Sequence, residues 1–326
     1  MNEETTKIRV RKVKKKPSNL MKAITIVIAI IFVVASAFCI KYALDIKKNK
    51  DAIKKLSELT DITNEFEAIN SDLPNIDFPE NIQEKYKKAY SVNTDLVGWI
   101  KVPGTSINHP IVKKDNNDYY LKHSFYHKYD IRGTVFMDYR NTRETLDKNT
   151  ILYGHNFLDS TMFAELEKYK SIDFYKENPV IEFNTIYKDY KWKVIAAFLT
   201  NASKEEDNDY IFNYIYPFMT DKSFLEYTGE ISQRSLYKTG VDVQKTDKVL
   251  SLSTCTRDMD IGRKETNSRF VLVARLVREG EDESVDTSKA TINENPRYPQ
   301  IWYDKNKTKN PYKDAPKWYP KGVAKS

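Results

Sequence analysis

The sequence predicts a mainly β domain with peripheral helices, built as an eight-stranded closed barrel and preceded by an N-terminal transmembrane helix. Three observations carry this reading. From Val97 onward the chain breaks into short runs rich in Val, Ile, Tyr and Phe, split by Gly, Pro, Asn and Asp; about eight such runs read as the strands of an antiparallel or mixed barrel. Helical composition interrupts them at STMFAELEKYK and again around 207–237. Well before them, Ala23 to Ile40 reads AITIVIAIIFVVASAFCI, eighteen apolar or small residues without a charge, just long enough to cross a hydrocarbon layer as a helix.

Taken in order, residues 1–22 form a basic tail, with Lys7, Arg9, Arg11, Lys12, Lys14, Lys15, Lys16 and Lys22 against only Glu3 and Glu4. Positive flanks stay in the cytoplasm, so the chain beyond residue 40 is expected outside the cell. This tail accounts for six of the seven net positive charges. The outer part is therefore close to neutral, without the basic patch that nucleic-acid binding requires. The apolar run at 23–40 passes through the small residues ASA at 35–37 into Phe38, Cys39 and Ile40, which favours an uncleaved single-pass anchor in the lipid bilayer over a cleaved signal peptide. Residues 41–74 are rich in Lys, Glu, Leu, Ile and Ala at helical spacing and read as a stalk. After a break at Pro74 and Pro79, IQEKYKKAYSVN reads as a short helix packed on the outer domain, which spans 75–279 and is long enough for one substantial core.

The strand runs are VGWIKV, INHPIV, GTVFMDY, NTILYGH, VIEFNT, YKWKVIAAFL, KVLSLSTC and RFVLVARLV. The last is apolar on both faces, which places it centrally in the sheet. Residues 280–326 carry five prolines, many Lys and Asp, and six aromatic residues. Proline at this density forbids a long helix, and the segment is expected to be largely disordered, its aromatics leaving room for docking on the barrel or on a partner.

Only two cysteines occur, Cys39 in the apolar run and Cys255 in KVLSLSTCTRDMD. Cys255 is left outside without an intramolecular partner, so it is an intermolecular bridge, a buried bystander or a reactive nucleophile. A nucleophilic thiol needs a base or imidazolium, because a free thiol is mostly protonated at neutral pH. All four histidines lie in the outer domain, and His155 is the best candidate because it ends an apolar strand, as Cys255 does. His109, His123 and His127 lie among polar, Tyr-rich residues and read as surface groups. An oxyanion formed by thiolate attack on an amide calls for a cation. Of Arg257, Arg263 and Arg269, the last opens an apolar strand, where a side chain is preorganised. Arg263, in the loop sequence DIGRKET, remains its rival.

LSTC at a strand end, YGHN about a hundred residues earlier, and an arginine immediately before an apolar final strand resemble the signature of sortases, specifically class B. VGWIKVPGTSINHPIV, DNNDYYL, GTVFMDYRN, TILYGHN and TMFAEL follow in the family's order. The resemblance implies a membrane-anchored cysteine transpeptidase on an eight-stranded sortase barrel, facing the cell wall. Cys255 would attack the threonine carbonyl of an NPQTN-like or PxTG-like C-terminal sorting motif of a secreted protein. His155 would protonate the leaving amine, and Arg269 would stabilise the oxyanion. An amine of cell-wall peptidoglycan would then resolve the thioester. Tyr153, Ser253, Asn117 and Leu121 match positions that line the substrate groove in similar enzymes.

Thr256 stands where some relatives carry an acidic group, and the tail after 279 has no familiar counterpart. The acidic run EEDND at 205–209 reads as a solvated loop. Neither HExxH, a CxxC pair nor a Gly-rich phosphate loop occurs, so no metal and no other cofactor is expected. Two alternatives remain beside the wall-anchoring enzyme: a pilin-polymerising sortase using a protein lysine as acceptor, and a non-catalytic membrane-tethered assembly or adhesion module. A papain-like hydrolase lacks the expected sequence around its cysteine.

Overall fold

The computed structural model describes residues 18–61, 76–262 and 264–321. The chain divides into two units, one ending at Lys55 and one starting at Leu56. The first is dominated by α1 (Asn19–Asp61), a continuous helix that includes the whole apolar run 23–40 and much of the expected stalk. Ile31, Phe32 and Val33 occupy successive sides of the helix and are all exposed. An all-round apolar stretch such as 23–40 suits a bilayer, and α1 is long and apolar enough to span one. Residues 62–74 of the stalk reading lie outside the described residues.

In the second unit, α2 (Glu84–Val92) buries Tyr86, Ala89 and Tyr90. The strands are β1 (Leu96–Lys101), β2 (Asn108–Val112), β3 (Phe136–Met137), β4 (Asn149–Tyr153), β5 (Val180–Thr185), β6 (Lys191–Asn201), β7 (Tyr237–Lys238), β8 (Val249–Cys255) and β9 (Ser268–Leu276). Eight of them close a barrel in the order β1-β2-β3-β4-β8-β9-β6-β5. The β2–β3 and β4–β8 pairs are parallel and the others antiparallel. Every strand run read from the sequence is one of these eight, and β9 lies centrally between β8 and β6.

Strand alternation sorts the side chains of β8 and β9. Leu250, Leu252, Phe270, Leu272 and Ala274 point into the barrel with Ile100, Phe183 and Trp192. Val249, Val271 and Val273 point outward and are covered by Phe212, Tyr214, Phe224, Tyr227 and Ile231, the last three from α4 (Asp221–Arg234). Each buried Val, Leu, Ile or Phe among them contributes about 1.5–3 kcal/mol, so both faces of this strand pair are held firmly. The region around STMFAELEKYK is a 3-10 stretch (Ala164–Lys170) followed by α3 (Ile172–Glu177).

The expectation of a largely disordered segment at 280–326 is corrected for residues 280–321, which form an ordered strap. Glu281 accepts two bonds from the fully buried Arg275, at 2.7 and 2.6 Å, and one from Lys193 at 2.8 Å. These cations, Arg275 first, hold its carboxyl well below the usual range. The strand β10 (Thr291–Ile292) pairs with β7. The helix α5 (Gln300–Asn306) buries Ile301 and Tyr303, and Trp318 packs on Phe212 and Tyr227. Prolines exclude a long helix here, but the aromatics bury enough apolar area to offset the cost of ordering the chain. The acidic run at 205–209 is also engaged: Glu206 accepts from the Asn267 amide and Asp207 from the Gln300 amide, at 2.6 and 2.8 Å.

His109, read as a surface group, sits in β2 with its Nδ1 buried and without a hydrogen-bond partner. Burial lowers its pKa to about 4, against the weaker opposing effect of a backbone bond at Met162. The folded state therefore disfavours the proton that the unfolded chain accepts from about pH 6.5 downward. Stability should fall as pH drops from 6.5 towards 4, by roughly 1.4 kcal/mol for each pH unit of separation between the two pKa values. Urea unfolding of the full chain in detergent at pH 7, 5.5 and 4.5 measures this. The decline should be shallower in His109→Gln, and equal slopes in the two proteins would remove His109 from the account.

Candidate active site

The sequence-predicted residues converge on one edge of the barrel, where β4 and β8 end and β9 begins. Cys255 is the last residue of β8 and is exposed, which removes the buried-bystander reading. Its register partner across the antiparallel ladder is Arg269. Directly opposed residues project to the same face with Cβ atoms about 5 Å apart, so the thiol and the guanidinium stem are neighbours. Arg269 is half-buried, and its Nη1 donates to the Ser268 carbonyl at 3.0 Å, which ties the guanidinium back to the start of its own strand. Arg263 lies outside the described residues. Arg257 is exposed and paired with Glu265.

His155 follows β4, the parallel neighbour of β8. Its segment is tied to the Cys255 strand at three points: Gly154 N to the Ser253 carbonyl at 3.2 Å, Thr254 Oγ1 to the Gly154 carbonyl at 2.8 Å, and Asn156 Nδ2 to the Cys255 carbonyl at 2.8 Å. Gly154 is needed for packing more than for turning, because a Cβ there would meet the Phe163 ring at 2.6 Å. The Phe163 amide in turn donates to the His155 carbonyl at 2.9 Å. The His155 Nε2 lies 2.9 Å from the Leu121 carbonyl. A carbonyl only accepts, so this assigns the proton to Nε2 and leaves Nδ1 as the nitrogen available to a thiol. The contact of Leu121 with the site thus runs through its backbone.

Two of the other groove candidates, Asn117 and Tyr153, bond to a residue that sequence reading did not single out. Asp138 is fully buried after β3 and accepts two bonds from the Arg140 guanidinium (both 2.8 Å), one from the Arg140 amide (2.9 Å), one from the Tyr153 hydroxyl (2.8 Å) and one from Asn117 Nδ2 (3.2 Å). Burial pushes its carboxyl up, but Arg140 and the hydrogen bonds outweigh that and hold it below its usual value. Asn117 is also pinned by the Tyr139 amide at 3.0 Å. Tyr153 has its phenol raised by burial and by the charge of Asp138, so it is a neutral donor. Ser253 is buried, and its hydroxyl bonds to the hydroxyl of Tyr214 at 2.6 Å. Burial raises the Tyr214 phenol too.

A charged residue inside the apolar run VFMDY was the available sequence signal for Asp138. Asn156 stands in the YGHN run, but the sequence assigns it no role. Tyr214 reaches Ser253 from the covering segment before α4, a long-range contact with no local signature.

A sortase domain model matches residues 100–277. The chain is 34% identical over 200 residues to sortase B of Staphylococcus aureus (strain NCTC 8325 / PS 47), covering 61% of this chain and 77% of the relative. It is 35% identical over 199 residues to sortase B of Listeria monocytogenes serovar 1/2a (strain ATCC BAA-679 / EGD-e), covering 60% and 75%. Among solved structures, a Staphylococcus aureus sortase B–substrate complex superposes with a TM-score of 0.59 at 31% identity, over 72% of this chain and 99% of that one. Clostridium perfringens sortase B gives 0.52 at 30% identity, over 59% and 99%. The closed mixed barrel and these relatives define a cysteine transpeptidase. The chain belongs to the sortase family, in its class B.

Proposed function

We propose that the chain is a membrane-anchored transpeptidase that cleaves a C-terminal sorting motif, NPQTN-like or PxTG-like, after its threonine and transfers the protein to an amine of cell-wall peptidoglycan. The observation that carries this is the opposition of Cys255 and Arg269 on one face of β8–β9, with the His155 segment bonded along the same edge.

The Cys255 thiolate adds to the threonine carbonyl, and Arg269 balances the oxyanion in a site where the cation is already in place. The C–N bond after threonine breaks, and the departing amine takes a proton from His155. The acceptor amine then attacks the thioester, its proton passes to His155, and the C–S bond breaks to restore the thiolate. Tyr153 and Asn117, held by Asp138, form with Leu121 and Ser253 the groove for the motif. The helix α1 holds the barrel at the bilayer with the basic N-terminus in the cytoplasm and the catalytic domain facing the wall.

The test is to incubate the full chain in detergent with peptides bearing NPQTN-, PPKTG- and LPETG-type motifs and to analyse the protein by mass spectrometry. The expected product is an adduct on Cys255 ending at the threonine, absent from Cys255→Ala. Absence of an adduct with every peptide would overturn this reading.

A further inference from the structure

The family-matched region ends at residue 277, and the chain continues into the strap. One strap side chain reaches the loop between β8 and β9: Lys305 of α5 donates from Nζ to the Asp258 carbonyl at 2.7 Å. From the other side the Lys170 ammonium lies 2.5 Å from the Asp258 carboxylate and 3.4 Å from the Thr256 hydroxyl. It also sits 5.7 Å from the centre of the Phe270 ring. Lys170 therefore touches the residue after Cys255 and the residue after Arg269, while Asp258 is gripped through both its backbone and its side chain.

Two further points of the loop are held as well. Met259 is fully buried in the barrel core. At the return end the Asn267 amide bonds to Glu206, whose neighbours Asp207 and Asn208 are bonded to Gln300 of α5 at 2.8 and 3.2 Å. The strap thus reaches both ends of the loop that joins Cys255 to Arg269.

We propose that Lys170 and Lys305 are positioning residues of the transfer reaction, clamping the β8–β9 loop so that Cys255 and Arg269 keep the opposition the oxyanion needs. This rests on the transpeptidase reading above. It makes the strap part of the catalytic unit. Solvent-facing ion pairs contribute little to folding, whereas a displacement of about 1 Å in a reacting constellation costs about a hundredfold in rate. The clamp is therefore separable from stability.

The experiment follows acylation of Cys255 by mass spectrometry in the full chain in detergent, over a range of concentrations of the motif peptide that acylates the wild type. Lys170→Met and Lys305→Met should each lower the maximal rate about tenfold, with the half-saturating peptide concentration and Tm unchanged. Lys170→Arg should restore most of the rate. The double variant should lose less than the product of the single losses, because both lysines act through Asp258. A Lys305→Met rate equal to wild type, or losses that track Tm, would overturn the clamp while leaving the transpeptidase intact. A wild-type chain that forms no adduct overturns the transpeptidase reading and the clamp with it.

Discussion

His155→Ala should lower the rate of Cys255 acylation and transfer by at least about a thousandfold while leaving the Tm of the barrel near that of the wild type. The kinetic loss has two sources. A free thiol near pKa 8.5 is mostly protonated at neutral pH, so on the proposed mechanism removing the imidazole withdraws the partner that would hold the thiolate. The departing amine also loses its acid, a role worth about a hundredfold to ten-thousandfold alone. The small effect on stability follows from the packing. His155 is half-buried, contributes one hydrogen bond to the Leu121 carbonyl, and lies in a segment whose other bonds, from Gly154, Thr254, Asn156 and Phe163, do not involve its ring. Quench-flow mass spectrometry of the adduct, with circular dichroism melts, separates the two. A rate within tenfold of wild type would remove His155 from the chemistry.

How much of this was legible in the sequence depended on the range of the interactions. The eight barrel strands were readable because each is a short apolar run with period-two or continuous burial, bounded by turn residues. The central place of β9 followed from its two apolar faces, which the β6–β9 and β8–β9 pairings explain. The two-residue strands β7 and β10 were not readable, since they pair across more than fifty residues and are too short to show a period. The strap was misjudged for a related reason. Its prolines and lysines are local signals for disorder, whereas its order comes from distant partners: Arg275 for Glu281, Phe212 and Tyr227 for Trp318, and Asp258 for Lys305. Within the site, Cys255 and Arg269 could be placed at strand ends from sequence, but their direct opposition is a matter of register. The Asp138 hub joins Asn117, Arg140 and Tyr153 through side-chain geometry that no linear pattern encodes.

Arg269→Ala should cost on the order of a hundredfold or more in the acylation rate, the loss expected when one preorganised donor to an oxyanion is removed. The argument rests on where the strand begins. Arg269 stands opposite Cys255, its Nη1 is tied to the carbonyl of its own neighbour, and its flanking residues Ser268 and Phe270 are fully buried, so the guanidinium has little freedom to leave the site. Because both guanidinium geometry and reach matter, Arg269→Lys should recover only part of the loss. The charge would return without the planar fork. A substrate shortened on either side of the motif should suffer the same fold-loss in the variant, since the contact that disappears is to the reacting carbonyl and not to the flanks. Arg263→Ala is the matched control, with a rate expected near wild type. If Arg263→Ala carries the hundredfold loss and Arg269→Ala does not, the oxyanion is served from the loop, and the opposition of Cys255 and Arg269 across the β8–β9 ladder has a structural role only.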